Sequence, residues 1–192
     1  MTDPAPRLHY VFLDLECTGL TDVDDIIEFG LIGTTVDLQV MFEQQLLVEA
    51  SDRAWQHMLD TPIVRDMHTT NGLIDELVAA RAAGTLPSVA DAEQQIITRL
   101  KSQRRRDGGP LILAGSGVWH SDMHVLERRT PKLRRLFADR RIFSTDVFRH
   151  VSLETTGEPI IPLSGSNHRA LDDARHALEE AREIRRIFAG RA

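Results

Sequence analysis

The fold is decided by the stretch Tyr-Val-Phe-Leu-Asp-Leu-Glu-Cys-Thr-Gly-Leu, residues 10–20. Its apolar residues predict a β-strand, and Thr18-Gly19 predicts the turn that ends it. Side chains alternate between the two faces of a strand, so Asp14 and Glu16 project to the same side, roughly 7 Å apart. Two carboxylates on one face repel each other, and a bound Mg²⁺ or Mn²⁺ relieves that repulsion. The stretch therefore indicates either a metal site or an ordinary strand with two solvated acids.

The length and composition of the chain are those of a globular domain. The chain has 192 residues, 42% of them hydrophobic, so we expect a single domain over residues 1–192. Its one cysteine, Cys17, excludes an intramolecular disulfide and a cysteine-built zinc site. The net charge of −6 argues against wrapping a long nucleic-acid duplex, but not against holding a short strand through metal ions.

The sequence contains no run of apolar residues long enough to cross a membrane. Residues 1–7 also lack the apolar core of a signal peptide. We therefore expect a cytoplasmic protein that has no membrane partner.

Two further segments rich in strand formers follow the first strand, residues 26–36 and 38–48, and together the three predict an antiparallel meander. Asp24, Asp25 and Glu28 belong to this region, and we interpret them as solvated or edge acids rather than ligands.

The pattern then turns helical and irregular from residue 50 to residue 85. We predict one helix in it, over residues 72–83, with a cap supplied by residues 69–71. His68 lies just before that cap.

The middle of the chain carries a third carboxylate candidate. Ser88 and Asp91 predict the start of a helix. The arginines 104–106 and the Gly-Gly-Pro sequence that follows them predict its end. Residues 111–115 are wholly apolar, as expected of a strand buried on both faces. Because α/β sheets bind ligands beyond the carboxyl ends of such strands, Asp122, which follows, is a candidate ligand. The alternative is an aspartate that simply favours the start of a helix.

The last part of the chain supplies a histidine and a fourth carboxylate. A short strand over residues 142–145 and a helix over residues 146–154 precede a loop that leads to His168 and a final helix. His168 and Asp173 are five residues apart, so on one continuous helix they would point to different sides. If both serve one site, we expect His168 to lie on the lead-in, as a mobile base beside a helix-anchored acid.

The order of these residues is more informative than any one of them. A D-x-E strand, an aspartate after a later buried strand and an H-x-A-x-x-D sequence at the last helix resemble the DEDDh family of 3′-to-5′ exonucleases. The residues that match its five motif positions are Asp14, Glu16, Asp122, His168 and Asp173. Within that family the chain is most similar to the oligoribonucleases, in its opening strand and in residues 68–73 and 168–173. The resemblance covers nearly the whole chain.

The resemblance implies an α/β fold, with an RNase H-like mixed sheet of about five strands and helices on both faces. It implies a metal-dependent 3′-to-5′ exoribonuclease that hydrolyses short single-stranded RNA to nucleoside 5′-monophosphates, and a homodimer. The carboxylates Asp14, Glu16, Asp122 and Asp173 can hold two divalent ions, Mg²⁺ or Mn²⁺. His168, with an ordinary pKa near 6.5, is suited to deprotonate the attacking water.

The resemblance also implies substrate contacts outside the five motif residues. Leu20 is expected to pack against the terminal bases, and His68 to contact the substrate. Arg140 and Thr145 are the candidates for contacting a 5′-phosphate.

Three departures from the oligoribonuclease pattern concern the substrate. Ile63 stands where those enzymes have a tryptophan, Asp139 stands where they have a tyrosine, and the loop before Asp122 is one residue longer. These changes leave open an exonuclease of the same fold that acts on longer RNA or on single-stranded DNA. A catalytically idle nucleic-acid-binding module is a further alternative, and the presence of all five motif residues argues against it.

Overall fold

The computed structural model describes residues 6–103, 109–161 and 167–190. Its strands are β1 (Tyr10–Cys17), β2 (Ile26–Thr34), β3 (Val40–Leu47), β4 (Leu111–Gly115) and β5 (Phe137–Ser144). They form one sheet in the order β3-β2-β1-β4-β5. Strands β1, β2 and β3 pair antiparallel, whereas β1, β4 and β5 run parallel. The expected meander and the mixed five-stranded sheet are both confirmed.

The helices of the described residues are α1 (Asp52–Asp60), α2 (Pro62–Thr70), α3 (Leu73–Ala82), α4 (Val89–Gln103), α5 (Asp122–Arg129), α6 (Pro131–Arg134), α7 (Thr145–Thr156) and α8 (Ala170–Ala189). The expected helix over residues 72–83 is α3. Helices α1 and α2 were not predicted, because the apolar residues before α3 are irregularly spaced. Ser88 caps α4 as predicted, because its hydroxyl accepts the Asp91 amide at 3.2 Å. The arginines 104–106 lie outside the described residues. None of the described helices has the length and apolarity that crossing a bilayer requires.

Helices cover both faces of the sheet, as the resemblance implied. Helices α4, α5 and α6 pack on one face, where β1 contributes Val11 and Leu13. Helix α8 packs on the other face, where Phe12 of β1 meets a stripe of small side chains that includes Ala174 and Ala177. Since odd-numbered residues of β1 face the first layer and even-numbered residues the second, the alternation aims the two acids of β1 at α8.

The close packing of α8 on the sheet depends on Gly30. This residue of β2 pairs with Asp14 across the ladder. A Cβ atom at Gly30 would lie 2.1 Å from the carbonyl carbon of Ala170, so no side chain fits at this position. The absence of a side chain lets the first turn of α8 approach the sheet beside the acids of β1.

Asp24 and Glu28 are buried, so their interpretation as solvated or edge acids was wrong. The exposed fractions are 2% for Asp24 and 0% for Glu28, and β2 lies inside the sheet between β1 and β3. The hydroxyls of Thr18 and Thr21 donate to the Asp24 carboxylate at 2.9 and 2.6 Å. These donors replace water around the buried carboxylate, and Glu28 has donors of its own that belong to the site below.

Candidate active site

Three of the expected site residues converge between β1 and α8. Glu16 lies near the end of β1 and is 7% exposed, Asp173 lies in α8, and His168 precedes that helix. One ligand atom from each of the three lies within 4.8 Å of the others. The sheet therefore brings together residues that are about 150 positions apart in the sequence.

Asp14 and Asp122 line the same pocket as Glu16, a cavity of about 300 Å³. Asp122 is the first residue of α5 and is 5% exposed. Its carboxylate accepts a hydrogen bond from the Ser121 hydroxyl at 2.8 Å. The carboxylate candidate that follows the buried strand β4 is thus next to β1, at the parallel-strand edge where a ligand site was expected.

The electrostatics show that Asp14 and Glu16 are each repelled by both Asp122 and Asp173. Burial, and after it repulsion from Asp122, Glu16 and Asp173, raises the pKa of Asp14 well above its ordinary value. Burial and neighbouring carboxylates raise the pKa of Glu16 to about 9. Burial also raises the pKa of Asp122 to about 6, against the opposing hydrogen bond from Ser121. Four acids with such repulsion form a donor set of hard oxygens, which fits Mg²⁺ or Mn²⁺.

His168 lies on the lead-in to α8, as the five-residue spacing predicted. The helix begins at Ala170, and His168 has a left-handed backbone with φ +52°. Its side chain is exposed, whereas its carbonyl accepts a hydrogen bond from the Asn71 side-chain amide. The backbone of His168 is therefore tied to the turn between α2 and α3, a contact that the sequence did not indicate.

An ion-pair network that sequence reasoning missed holds the start of α8. The guanidinium of Arg169 lies 2.9 Å from Glu28 and 2.8 Å from Glu76. The Ala170 amide donates to the second oxygen of Glu28 at 3.0 Å. The buried Glu28 carboxylate thus caps α8 at its N-terminus, where a negative charge is favourable. The one sequence signal for this network was the position of Glu28 within the mainly apolar residues of β2.

The mouth of the pocket has an apolar wall. Leu20 and Ile63 line the pocket beside Asp14 and are 90% and 80% exposed. Val64 and Met67 of α2 lie behind them in the same lining. Leu20 and Ile63 thus form one wall of the cavity that contains the acids.

His68 lies behind the acids rather than on this wall. It is fully buried at the end of α2, and its Nε2 donates to the Cys17 carbonyl at 3.1 Å. Its Nδ1 lies 3.9 Å from the Glu16 carboxylate. Burial lowers the pKa of His68, which favours the neutral form of the imidazole beside Glu16.

The two residues expected at a 5′-phosphate do not line the pocket of Asp14 and Asp122. Thr145 is fully buried, and its hydroxyl donates to Glu180 at 2.6 Å. The expected phosphate contact at Thr145 does not fit this arrangement, because a group without access to solvent cannot meet a ligand that enters from solvent. Arg140 is exposed on β5, at one edge of the sheet.

Solved structures with a similar fold are exonucleases I. One from E. coli, in a zinc-bound complex with single-stranded DNA, superposes with a TM-score of 0.65 at 15% identity. It is matched over 93% of this chain and 40% of its own. Exonuclease I of Methylocaldum szegediense also gives 0.65, at 16% identity over 92% of this chain and 40% of its own. The chain thus spans well under half of either enzyme, and at these identities the likeness shows the fold alone.

Sequence relatives are closer than these structures, although no family model matches the chain. The oligoribonuclease of Streptomyces griseus is 31% identical over 179 residues, which are 91% of this chain and 84% of that protein. The oligoribonuclease of Hahella chejuensis is 30% identical over 187 residues, which are 95% of this chain and 96% of that protein. Identity at this level over most of both chains shows that the protein belongs to the oligoribonuclease family.

Proposed function

We propose that the protein is a metal-dependent 3′-to-5′ exoribonuclease that hydrolyses short single-stranded RNA to nucleoside 5′-monophosphates. The convergence of Glu16, His168 and Asp173 within 4.8 Å carries this proposal. Asp14 and Asp122 share a pocket with Glu16, and Asp14 is repelled by Asp122, Glu16 and Asp173. The name of the relatives, oligoribonuclease, supports RNA as the substrate. An idle binding module would have no need of five such groups at one place.

The proposed roles follow from the chemistry of each group. Asp14, Glu16, Asp122 and Asp173 would hold two divalent ions, Mg²⁺ or Mn²⁺. Such ions, when bound, lower the pKa of a water molecule and stabilise the charge that develops on the leaving oxygen. His168 accepts the proton of the attacking water at an imidazole nitrogen. The water oxygen bonds to phosphorus and the bond from phosphorus to the 3′-oxygen breaks. The 3′-oxygen stays on the shortened RNA and takes up a proton from solvent to become a hydroxyl, and a nucleoside 5′-monophosphate is released.

The apolar wall formed by Leu20 and Ile63 is the proposed contact for the terminal bases. Leu20 and Ile63 line the cavity of about 300 Å³ that also holds Asp14, Glu16 and Asp122, so a base on this wall would lie beside the acids. An aliphatic Ile63 cannot stack on a base as an aromatic side chain does, and such stacking contributes about 1–3 kcal/mol per base. His68 then supports Glu16 from behind, and the role of Arg140 at a 5′-phosphate stays a prediction.

A comparison of substrates tests the proposed function. We expect a 5′-labelled RNA dinucleotide to be hydrolysed at least about tenfold faster than a 20-residue RNA or its DNA counterpart, a difference of about 1.4 kcal/mol in activation free energy. The name of the relatives, oligoribonuclease, supports this order of rates. Gel electrophoresis of the labelled products, with Mn²⁺ or with EDTA, measures the rates, and EDTA is expected to stop the reaction.

The same gel separates the alternative function. The similar exonuclease I of E. coli is known in complex with single-stranded DNA, which supports an exonuclease that acts on longer strands or on DNA. Equal rates on all three substrates would contradict the short-RNA proposal. A faster reaction on the DNA would favour the alternative.

We also propose a homodimer, on the strength of the family resemblance and of exposed apolar side chains. Val147 and Val151 are 52% and 53% exposed at adjacent turns of α7, and Phe188 of α8 is 58% exposed. Light scattering is expected to give twice the chain mass of 21.6 kDa, and a single chain mass would contradict the dimer. The single-domain organisation and the cytoplasmic location stay predictions.

A further inference from the structure

We propose that Asn71 is a positioning residue, whose side-chain amide holds the backbone of His168 so that the imidazole stays beside Glu16 and Asp173. This inference rests on the proposed function, because His168 acts as a base only in a nuclease. Asn71 itself is no part of the carboxylate cluster. It lies in the turn between α2 and α3 and reaches His168 across 97 positions of the sequence.

The Asn71 side chain is oriented by its other end. Its Oδ1 accepts the backbone amide of Leu73 at 2.9 Å, at the start of α3. Because the oxygen of the amide group is engaged there, the nitrogen points away from α3 and donates to the His168 carbonyl. The Asn71 side chain therefore links the start of α3 to the segment before α8, and the bond to Leu73 fixes the orientation of its amide group.

His168 has a backbone conformation that needs such support. A left-handed φ of +52° costs a residue other than glycine about 1–2 kcal/mol. The imidazole is exposed, so core packing does not fix its direction. Fixing the carbonyl of His168 limits rotation of the backbone that carries the imidazole.

The far side of the same segment is held as well. The Ala170 amide is bound to Glu28, and the Arg169 guanidinium bridges Glu28 and Glu76. Asn71 thus completes a clamp on the His168–Ala170 segment, with bonds before and after Arg169. Preorganised bases of this kind contribute to rate, because a displacement of about 1 Å can cost about 100-fold.

The competing explanation is a purely structural role, in which Asn71, from the position before the N-cap residue Gly72, caps the Leu73 amide at the start of α3. The substitution Asn71→Asp separates the two explanations. Aspartate is isosteric and keeps the oxygen that caps the Leu73 amide. It replaces the donor that faces the His168 carbonyl with a second acceptor. The cap is therefore retained while the anchor is lost.

We expect Asn71→Asp to lower kcat on short RNA about 10- to 100-fold. We expect KM to change less than about threefold, because the base wall is untouched. The melting temperature should stay within about 2 °C of wild type, because the cap remains. Hydrogen–deuterium exchange, measured without metal, should become faster in the peptide that covers residues 167–172. Asn71→Ala should show the same loss of kcat together with a destabilisation of about 0.5–2 kcal/mol.

Thr70→Asp is the matched control for the added charge. Thr70 is the exposed neighbour of Asn71, and its hydroxyl donates to the Asp66 carbonyl. This variant is expected to keep the wild-type kcat and exchange rate. An unchanged kcat and exchange rate in Asn71→Asp, or an equal loss in Thr70→Asp, would overturn the positioning role. If the wild-type protein does not hydrolyse RNA, the proposed function fails. The exchange measurement still shows whether Asn71 holds the backbone of His168.

Discussion

Asp173→Asn is expected to lower the rate of short-RNA hydrolysis by at least about 1000-fold, and Asp14→Asn by a similar factor. Each removes one charged oxygen from the cluster around Glu16. Metal ions contribute several kcal/mol to the stabilisation of a transition state, and each 1.36 kcal/mol is a factor of ten in rate. The initial rate of nucleotide release from a 5′-labelled short RNA, with millimolar Mn²⁺, measures the loss.

The neighbouring acid supplies a control for this experiment. Asp172 precedes Asp173 in the same helix, is exposed and pairs with Arg175 at 2.8 Å. Asp172→Asn makes the same chemical change away from the cluster and should retain most of the wild-type rate. Near-wild-type activity of Asp173→Asn or Asp14→Asn, with melting temperatures that show folded proteins, would remove the two-metal model.

Glu16→Gln is expected to make the metal-free protein more stable while it abolishes hydrolysis. The pKa of Glu16 is raised from 4.5 to about 9 in the folded protein, chiefly by burial. At pH 8 its ionisation is therefore opposed by the fold, and a neutral glutamine of similar size removes that cost. We expect a gain of at least about 2 kcal/mol at pH 8, which corresponds to a rise in melting temperature of about 4–8 °C.

The sign of the pH dependence follows from the direction of the pKa shifts. Glu16 and Asp122 both have folded-state pKa values above the ordinary ones, at about 9 and about 6. In the window from the ordinary values up to these values, the folded protein binds more protons than the unfolded chain. The stability that the two groups contribute is therefore full below that window and is lost as the pH rises through it. Glu16→Gln should flatten the part of this loss that extends towards pH 9.

Thermal melts with and without Mn²⁺ check this second prediction. Millimolar Mn²⁺ should raise the wild-type melting temperature, because ions that bind only the folded state stabilise it by about 2.7 kcal/mol at 100 times Kd. In Glu16→Gln that rise should be largely lost. Glu179→Gln, on the exposed side of α8 where Glu179 pairs with Arg182, is the matched control and should respond to Mn²⁺ as wild type does. A Glu16→Gln variant less stable than wild type at pH 8 without metal would contradict the electrostatic account.

The fold could be predicted from the sequence wherever a local pattern has one structural meaning. Because side chains alternate along a strand, residues 10–17 predicted that Asp14 and Glu16 lie on the same face of the sheet. The wholly apolar residues 111–115 predicted a buried strand, which is β4. The spacing of His168 and Asp173 placed the histidine before the helix rather than within it. Local patterns fix these features because side-chain direction follows from strand and helix geometry.

Features that depend on distant partners could not be predicted in the same way. Glu28 looked like a solvated acid because Arg169, its main partner, is 141 positions away. The resemblance placed Thr145 at a phosphate, and nothing in its local sequence indicated that its hydroxyl would be buried against Glu180. The anchoring of His168 by Asn71 is likewise a property of the folded chain. Local sequence carries no signal for such pairs, since each member alone is compatible with exposure.

The contact of α8 with β1 and β2 at Gly30 also has a consequence for the synthesis of the protein. About 150 residues separate the end of β1 from the start of α8, and a ribosome takes roughly 10 to 30 s to add them. Throughout that interval the emerging polypeptide has the acids of β1 without the helix that completes the centre. On the proposed roles of His168 and Asp173, cleavage of RNA is therefore expected to begin only after the α8 segment has left the ribosome.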